Sequence, residues 1–353
     1  MGKRQTWNKL KMSDSDNNRI TCLVVGAGLA GLIAARELRT SGVNVVVLDK
    51  GRGVGGRLAT RRIGERVFDH GAQFFTVRDA KFKHHVDEWL RAGVVREWCR
   101  GFTQGDETLR DDGHPRYCGV SGMTGIAKHL AADLDVRTGV RVERITARNG
   151  GWDVTADAGA DWRTESLLLT PPVPQSLALV EAGGFTLAAE TKAQLARIAY
   201  DPCIAVMATF AGTVTLPEPG AVQIEGGEPV YWIADNNRKG VSPRVSAITI
   251  HAGADFSRAN WETEDALIVE TLTEHARKFL RDADDQPLED VELEAWHVKR
   301  WRYSKPVVTH EQRCLVVQSP PLVFAGDAFG GARIEGAALS GLAAAEQLKT
   351  LLL

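Results

Sequence analysis

The sequence is short of several things, and each shortage narrows what the chain can be. Five of its 353 residues are cysteine, namely Cys22, Cys99, Cys118, Cys203 and Cys314, and they are scattered singly. That spacing excludes a disulfide-stapled scaffold and a paired-cysteine zinc site, so no metal is expected and a cytoplasmic location is. Neither sign of charge is in excess: 43 Lys and Arg stand against 45 Asp and Glu, a formal net charge of −2. Nucleic acid therefore finds no broad attraction and is not an expected partner. No apolar run reaches the roughly 18 residues that span a bilayer, so the protein is expected to be soluble, with no membrane contact. Residues 1–18 are polar and carry Lys3, Arg4, Lys9 and Lys11, but no apolar h-region follows. They read as a disordered leader rather than a secretory signal, with Met12 as an alternative natural start.

What is present is the balance of a folded globular protein, 44% hydrophobic and 25% charged, on a chain long enough for two domains or one two-lobed unit. Ile20 to Val25 is a β-branched run ending in glycine, followed by a helical pattern to about Thr40 and a second apolar run from Val43 to Leu48. Val136 to Ile145, Trp152 to Ala156 and Leu167 to Leu169 read as further strands, the last stopped by Pro171 and Pro172. Between about Pro174 and Trp296 the pattern changes. Strands at Cys203 to Phe210 and Val245 to Ile250 alternate with helices at Ala188 to Ile198 and Glu262 to Leu280, which predicts a second lobe. Leu322 to Ala325 and a terminal helix return to the first.

The expected architecture is α/β, a Rossmann-like cofactor domain with an inserted domain of mixed β-sheet plus helices. The cofactor domain takes residues 19–72, 120–172 and 306–353, and the substrate domain takes 73–119 and 173–305.

Three signatures carry chemistry. Gly26-Ala27-Gly28-Leu29-Ala30-Gly31 directly follows the first strand: two glycines allow a tight turn and close approach to a pyrophosphate, and the third lets the helix pack on the strand. The helix N-terminus then faces the phosphates. Asp49 ends the second strand, where a carboxylate can accept from ribose hydroxyls. This unit alone suits NAD and FAD equally.

Lys50-Gly51-Arg52-Gly53-Val54-Gly55-Gly56-Arg57 follows without a break, glycines for close approach and arginine forks for phosphate. After it, Asp69-His70-Gly71-Ala72-Gln73-Phe74-Phe75 offers Gly71 and Ala72 for close approach and Gln73 for a flavin or substrate contact. The third signature lies at the other end. Val323 to Ala325 leads into Gly326-Asp327, an acid that can hold a ribityl hydroxyl, and Glu335-Gly336-Ala337 opens the last helix, whose free amides can stabilise negative charge on a reduced flavin. Together the signatures favour FAD over NAD.

These segments resemble the flavin amine oxidase superfamily and, more closely, the renalase-like flavoproteins. The resemblance rests on D-K-G-R-G-V-G-G-R (49–57), D-H-G-A-Q-F-F (69–75), K-R-W-R-Y-S-K-P (299–306) and G-D…R-I-E-G-A-x-L-S-G (326–341). It implies non-covalent FAD, with Val142 among the cofactor-binding residues. It further implies oxidation of the 2- and 6-dihydro isomers of NAD(P)H to NAD(P)+, by hydride transfer to flavin N5 with O2 reduced to H2O2. No side-chain acid or base is required for hydride loss, so none is assigned. The alternatives are oxidation of a small amine, or flavin binding without turnover. Against the amine oxidases, Arg333 and Ile334 stand where those enzymes carry an aromatic residue ahead of the Glu-Gly-Ala turn.

In the second lobe Trp301 can stack on a nicotinamide ring or wall the pocket, and Arg300 or Arg302 can receive a pyrophosphate; equally, the segment can be an edge strand with a buried Trp and solvated arginines. His251 ends a strand, either as a satisfied rim histidine or as a substrate hydrogen-bonding residue. Of the adjacent Tyr231 and Trp232, strand alternation lets at most one line a pocket.

Overall fold

The computed structural model describes residues 20–288 and 290–353, so the leader expected over residues 1–18 lies outside the described residues. Eight strands form the first sheet. Its path runs β16 (Leu315–Val317), β17 (Leu322–Phe324), β10 (Asp161–Leu169), β1 (Ile20–Val25), β2 (Val45–Asp49) and β7 (Asp135–Thr138), with β9 (Gly151–Ala156) pairing both β10 and β8 (Val142–Arg148). β17, β10, β1, β2 and β7 are mutually parallel. Strands buried on both faces need no polar alternation, which is why Leu23, Val24, Val47, Leu48 and Leu167 to Leu169 are uniformly apolar and fully buried. One face is covered by α1 (Leu29–Thr40), α3 (Thr124–Ala131) and α8 (Ile334–Leu352), with α2 (Ala80–Arg91) beyond.

The second sheet has seven strands, in the order β15 (Leu293–Val308), β11 (Ala199–Phe210), β14 (Ile248–Ala252), β13 (Val230–Asp235), β12 (Ala221–Gln223), β5 (Val95–Gln104) and β6 (Leu109–Gly119). All its pairs are antiparallel except β12 with β5, so it is mixed as expected. Its strands alternate. Ile204, Val206, Ala208 and Ile250 pack against Ile268, Val269 and Leu272 of α7 (Asp265–Arg277), beside α6 (Ala254–Ala259). The opposite face looks toward the first lobe. A hairpin of β3 (Thr60–Ile63) and β4 (Arg66–Asp69) bridges the two.

Two readings of the sequence are corrected here. The single strand expected over Val136 to Ile145 is two, because Gly139 turns the chain in the left-handed region (φ +71°); its N–H reaches the Gly51 carbonyl and that of Val140 reaches the Asp49 carbonyl. Helices α4 (Val173–Ala182) and α5 (Ala189–Ala196), expected in the inserted domain, lie on the first sheet instead. Val180, Leu195 and Ile198 share a core with Leu23, Leu48 and Phe324, because the apolar side of these helices meets the face of that sheet left uncovered by α1 and α8.

Candidate active site

The nucleotide end is built from backbone. Gly26 turns at φ +105°, in the left-handed region open to glycine. A Cβ on Gly28, at the N-cap of α1, would meet open space, whereas one on Gly31 would collide with the Gly26 carbonyl. The second glycine thus leaves room for a ligand and the third lets α1 sit against its own loop. Ala27 and Ala30 are buried in that contact. Asp49 accepts from the N–H of Ala27 (2.7 Å) and of Gly51 (2.6 Å), clamping both glycine loops and retaining lone pairs for ribose hydroxyls. The Gly55 N–H donates to the Ala27 carbonyl, so the second loop is zipped to the first at Gly28 and Gly55, and Gly56 lies just beyond. Val142 packs with Leu48 in the core below. Lys50 and Arg52 are exposed on the rim, Lys50 donating to Gln175.

The other end is joined by side chains. Arg57 forms a two-pronged pair with Asp327, 2.7 Å on each arm, and reaches the carbonyls of Tyr303 and Ser304 on β15. Two signatures far apart in sequence therefore meet as one ion pair. Gly71 sits where a Cβ would strike the Arg57 carbonyl, and the Ala72 N–H donates to that same carbonyl. The Gly326 N–H donates to the buried hydroxyl of Ser340 on α8.

At the start of α8 two expectations change. The Glu335 carboxylate accepts from the N–H groups of Arg78 and Asp79 (2.7 and 2.8 Å), so its side chain fastens α8 to the turn before α2. The Ala337 N–H donates to the Arg333 carbonyl, as the helix demands, and is no longer free for a ligand. The helical amides with no intrahelical acceptor are those ahead of it, Ile334, Glu335 and Gly336.

Between the lobes lies a mainly aromatic face. Register pairs share a face of an antiparallel sheet, and Trp301 pairs with Cys203, Lys299 and His251 with Ala205, and Trp232 with His251. Trp301, Lys299, His251 and Trp232 thus all look toward the first lobe, where the 69–75 segment meets them. Trp301 donates to the His70 carbonyl (2.9 Å) and stacks on the His70 ring, with centroids 5.4 Å apart. Phe74, Phe102 and Trp232 form a further cluster of rings.

Gln73 donates to the carbonyls of Asp69 and Gly71, which leaves its Oε1 buried without a partner. His70 Nδ1, His251 Nε2 and Trp232 Nε1 are in the same condition. Four such atoms around one face form a set built to meet a polar ligand, since an unmatched buried donor or acceptor is costly.

Arg302 does not join them. Alternation turns it to the other face of β15, where its guanidinium lies over the Trp261 ring, and Arg300 on the same side binds Asp265 and the Trp261 and Thr263 carbonyls. Neither arginine is positioned to receive a pyrophosphate beside Trp301. A separate cavity of about 180 Å³, lined by residues including Arg78, Lys83, Asp87, Arg116 and Tyr117, shares no residue with this face; Lys83 is paired with Asp87 and Arg116 with Asp112.

The arrangement has known counterparts. A family model described as the NAD(P)-binding Rossmann-like domain matches residues 24–89, and one described as flavin containing amine oxidoreductase matches residues 80–349. The chain belongs to the flavin containing amine oxidoreductases. Renalase of Mus musculus is 23% identical over 346 residues, 93% of this chain and 98% of that protein. Among solved structures, a redesigned putrescine oxidase superposes with a TM-score of 0.67 at 14% identity, covering 94% of this chain and 99% of its own. A CLA-producing fatty acid isomerase from P. acnes superposes with a TM-score of 0.67 at 12% identity, covering 97% and 100%. Those two likenesses establish the fold, and their different chemistries show that the fold does not choose the substrate.

The cofactor of this amine oxidoreductase is FAD, and the residues present fit it. Open space beside Gly28, Gly53 and Gly331 leaves room for a dinucleotide to approach backbone, and Asp49, Arg57 and Asp327 are the polar groups that would anchor it. Three residues that sequence reasoning left out of the site now belong to its surroundings: His70, Trp232 and Lys239. Lys239 is wholly buried and its ammonium pairs with Asp69 at 2.8 Å. Asp69 also accepts from Thr60 and Met123, and its backbone bonds Asn236, Thr249 and Gln73. No helix among the described residues is long and apolar enough to cross a membrane.

Burial holds both imidazoles neutral. Desolvation, then the charges of Lys299 and Arg61, pushes His70 down to about 4. Desolvation, then the charge of His70, does the same to His251, to about 4, although a hydrogen bond from the His251 ring to the His70 backbone carbonyl opposes the shift. The sign of the consequence follows from linkage. As pH falls below the ordinary histidine value of about 6.5, the unfolded chain takes up protons that the folded rings refuse, so stability drops until the folded rings titrate near 4. We expect the unfolding free energy to decline between pH 6 and pH 4.5, with a contribution approaching about 1.4 kcal/mol per pH unit from each ring. Denaturant titrations across that range check it: His251→Gln should flatten the slope, and an unchanged slope contradicts the assignment.

Proposed function

We propose that this protein oxidises the 2- and 6-dihydro isomers of NAD(P)H to NAD(P)+. FAD, held non-covalently by the glycine loops together with Asp49, Arg57 and Asp327, would supply the redox chemistry, a two-electron acceptor at flavin N5 for the substrate hydride and a route for those electrons to O2, giving H2O2. The observation that carries the reading is the neutral aromatic face with its four unmatched polar atoms. A nicotinamide carboxamide presents two N–H donors and one carbonyl. Gln73 Oε1 and the imidazole nitrogens are acceptors for the former, and Trp232 Nε1–H is a donor for the latter. Trp301, already stacked on His70, walls the ring site and fixes the His70 backbone.

Oxidation of a small amine is the second reading. It is disfavoured because the one carboxylate buried in this region, Asp69, is held by Lys239 and cannot pair with a substrate ammonium. Burial pushes the Cys314 thiol up to about 11, which disfavours the reactive thiolate that a covalent flavin tether would need.

Anaerobic mixing separates the two. Bleaching of the flavin bands by 2- or 6-dihydro-NAD(P), at a rate at least about a hundredfold above that with β-NADH or a panel of amines, is the expected result; a difference of that size is about 2.7 kcal/mol in barrier. Rapid bleaching by an amine and none by the dihydro isomers overturns it.

A further inference from the structure

Around the aromatic face the charges are unevenly arranged. Lys299 lies two residues before Trp301 on the same side of β15, its ammonium 5.0 Å from the centre of the Trp301 ring. Arg61 comes from the other lobe. Its register partner across the hairpin is Phe68. Ile63, on the same side of β3, packs with Phe68, Met207 and Ala247, and Met207 shares the sheet face of Ala205 and His251. Arg61 therefore projects toward the face that carries Lys299 and Trp301. Both cations are exposed, and among the described residues neither has a carboxylate partner. The carboxylates on the adjoining strands are already held, Asp69 by Lys239 and Glu294 by Arg66. Elsewhere on this chain most arginines near a strand edge are paired, as Arg100 is with Glu97, Arg116 with Asp112 and Arg300 with Asp265. The charges of both Lys299 and Arg61 act on the buried His70 ring, in keeping with that placement.

We propose that Lys299 and Arg61 form a phosphate subsite at the mouth of the Trp301 pocket, so that the ligand entering it is a phosphate-bearing nucleotide rather than a free base or a cationic amine. The inference rests on the dinucleotide reading and deepens it. Two unpaired cations on opposite lobes attract a pyrophosphate from both sides and repel an ammonium. They also take the place that Arg300 and Arg302, turned to the far face, cannot fill.

Calorimetric titration of the FAD-loaded protein with ADP-ribose, and separately with nicotinamide, tests this without turnover. Lys299→Gln and Arg61→Gln are surface changes that leave the core intact, and Arg62→Gln, one residue along and on the other side of the strand, is the control. The expected result is a Kd for ADP-ribose raised about tenfold by each single change and about fiftyfold or more by the pair, with nicotinamide binding and the Arg62→Gln protein unaffected. Binding should weaken with salt in the starting protein and lose that dependence in the double variant. An unchanged Kd in the double variant, no ADP-ribose binding by the starting protein, or an equal loss in Arg62→Gln overturns the subsite. Should ADP-ribose binding depend on both cations while no dihydro isomer bleaches the flavin, the subsite stands and the proposed reaction falls; bleaching with cation-independent ADP-ribose binding sinks the subsite alone.

Discussion

Replacing Lys239 with methionine should lower the unfolding free energy by about 3–5 kcal/mol, among the larger effects a single change can have. The side chain and its partner Asp69 both have zero exposure, so the substitution leaves a carboxylate buried with only the Thr60 hydroxyl and the Met123 N–H to compensate it. The loss should be read from denaturant midpoints at neutral pH. Asp69→Asn introduced alongside removes the stranded charge while keeping an acceptor for Thr60 and Met123, and should recover most of the loss. If the double variant is no more stable than Lys239→Met alone, the ion pair is not what holds the hairpin of β3 and β4 to the second lobe. The same pair organises the 69–75 segment, because the backbone of Asp69 receives Gln73 and Thr249.

The second large effect concerns FAD. Gly31→Val should yield a protein that binds FAD at least about a hundredfold more weakly, equivalent to about 2.7 kcal/mol. A side chain at this position drives α1 away from the Gly26 carbonyl, and with it the first-turn amides and the Ala27 N–H that Asp49 grips. Overpacking of this kind costs about 1–3 kcal/mol even where neighbours can shift, and here the obstacle is backbone. Gly105→Ala, in the turn between β5 and β6 of the second lobe, is the natural contrast: a Cβ there meets only the Ile224 side chain, so FAD content after purification should be unchanged. Comparable flavin content in the Gly31→Val protein would show that the first loop does not carry the dinucleotide.

Much of the candidate cofactor cradle is legible in the chain because it depends on local backbone demands. Gly26, Gly28, Gly31 and Asp49 are specified by two strands, one turn and one helix, all within thirty residues, and Gly326-Asp327 by another strand end. The pocket was harder. Alternation predicted that Tyr231 and Trp232 face opposite ways, and Trp232 is buried where Tyr231 is exposed, but nothing in the local pattern says which face of a strand meets the other lobe. For that reason Arg302 was grouped with Trp301 although the two point apart.

The Glu-Gly-Ala motif predicts a flavin-facing turn at Glu335, whereas its carboxylate is held by the amides of Arg78 and Asp79. Val136 to Ile145 was read as one strand although Gly139 sat within it, a turn signal in the sequence that the apolar run obscured. Lys239 lies in a polar stretch, Asn236-Asn237-Arg238-Lys239-Gly240, whose composition marks a surface turn; only a partner far away in sequence makes its burial tolerable.

The sequence by itself determined that this is a two-lobed α/β flavoprotein with glycine-rich and acidic signatures at both ends of the chain. Those features rest on φ angles, missing Cβ atoms and strand-to-helix turns, which act over a few residues. Tertiary structure alone decided that Arg57 would pair with Asp327, that Lys239 would be buried under the 69–75 segment, and that Lys299 rather than Arg300 or Arg302 would stand beside Trp301. Each of these depends on which sheet face or loop is brought against which, and long-range pairing of strands leaves no periodic trace in the residues it brings together.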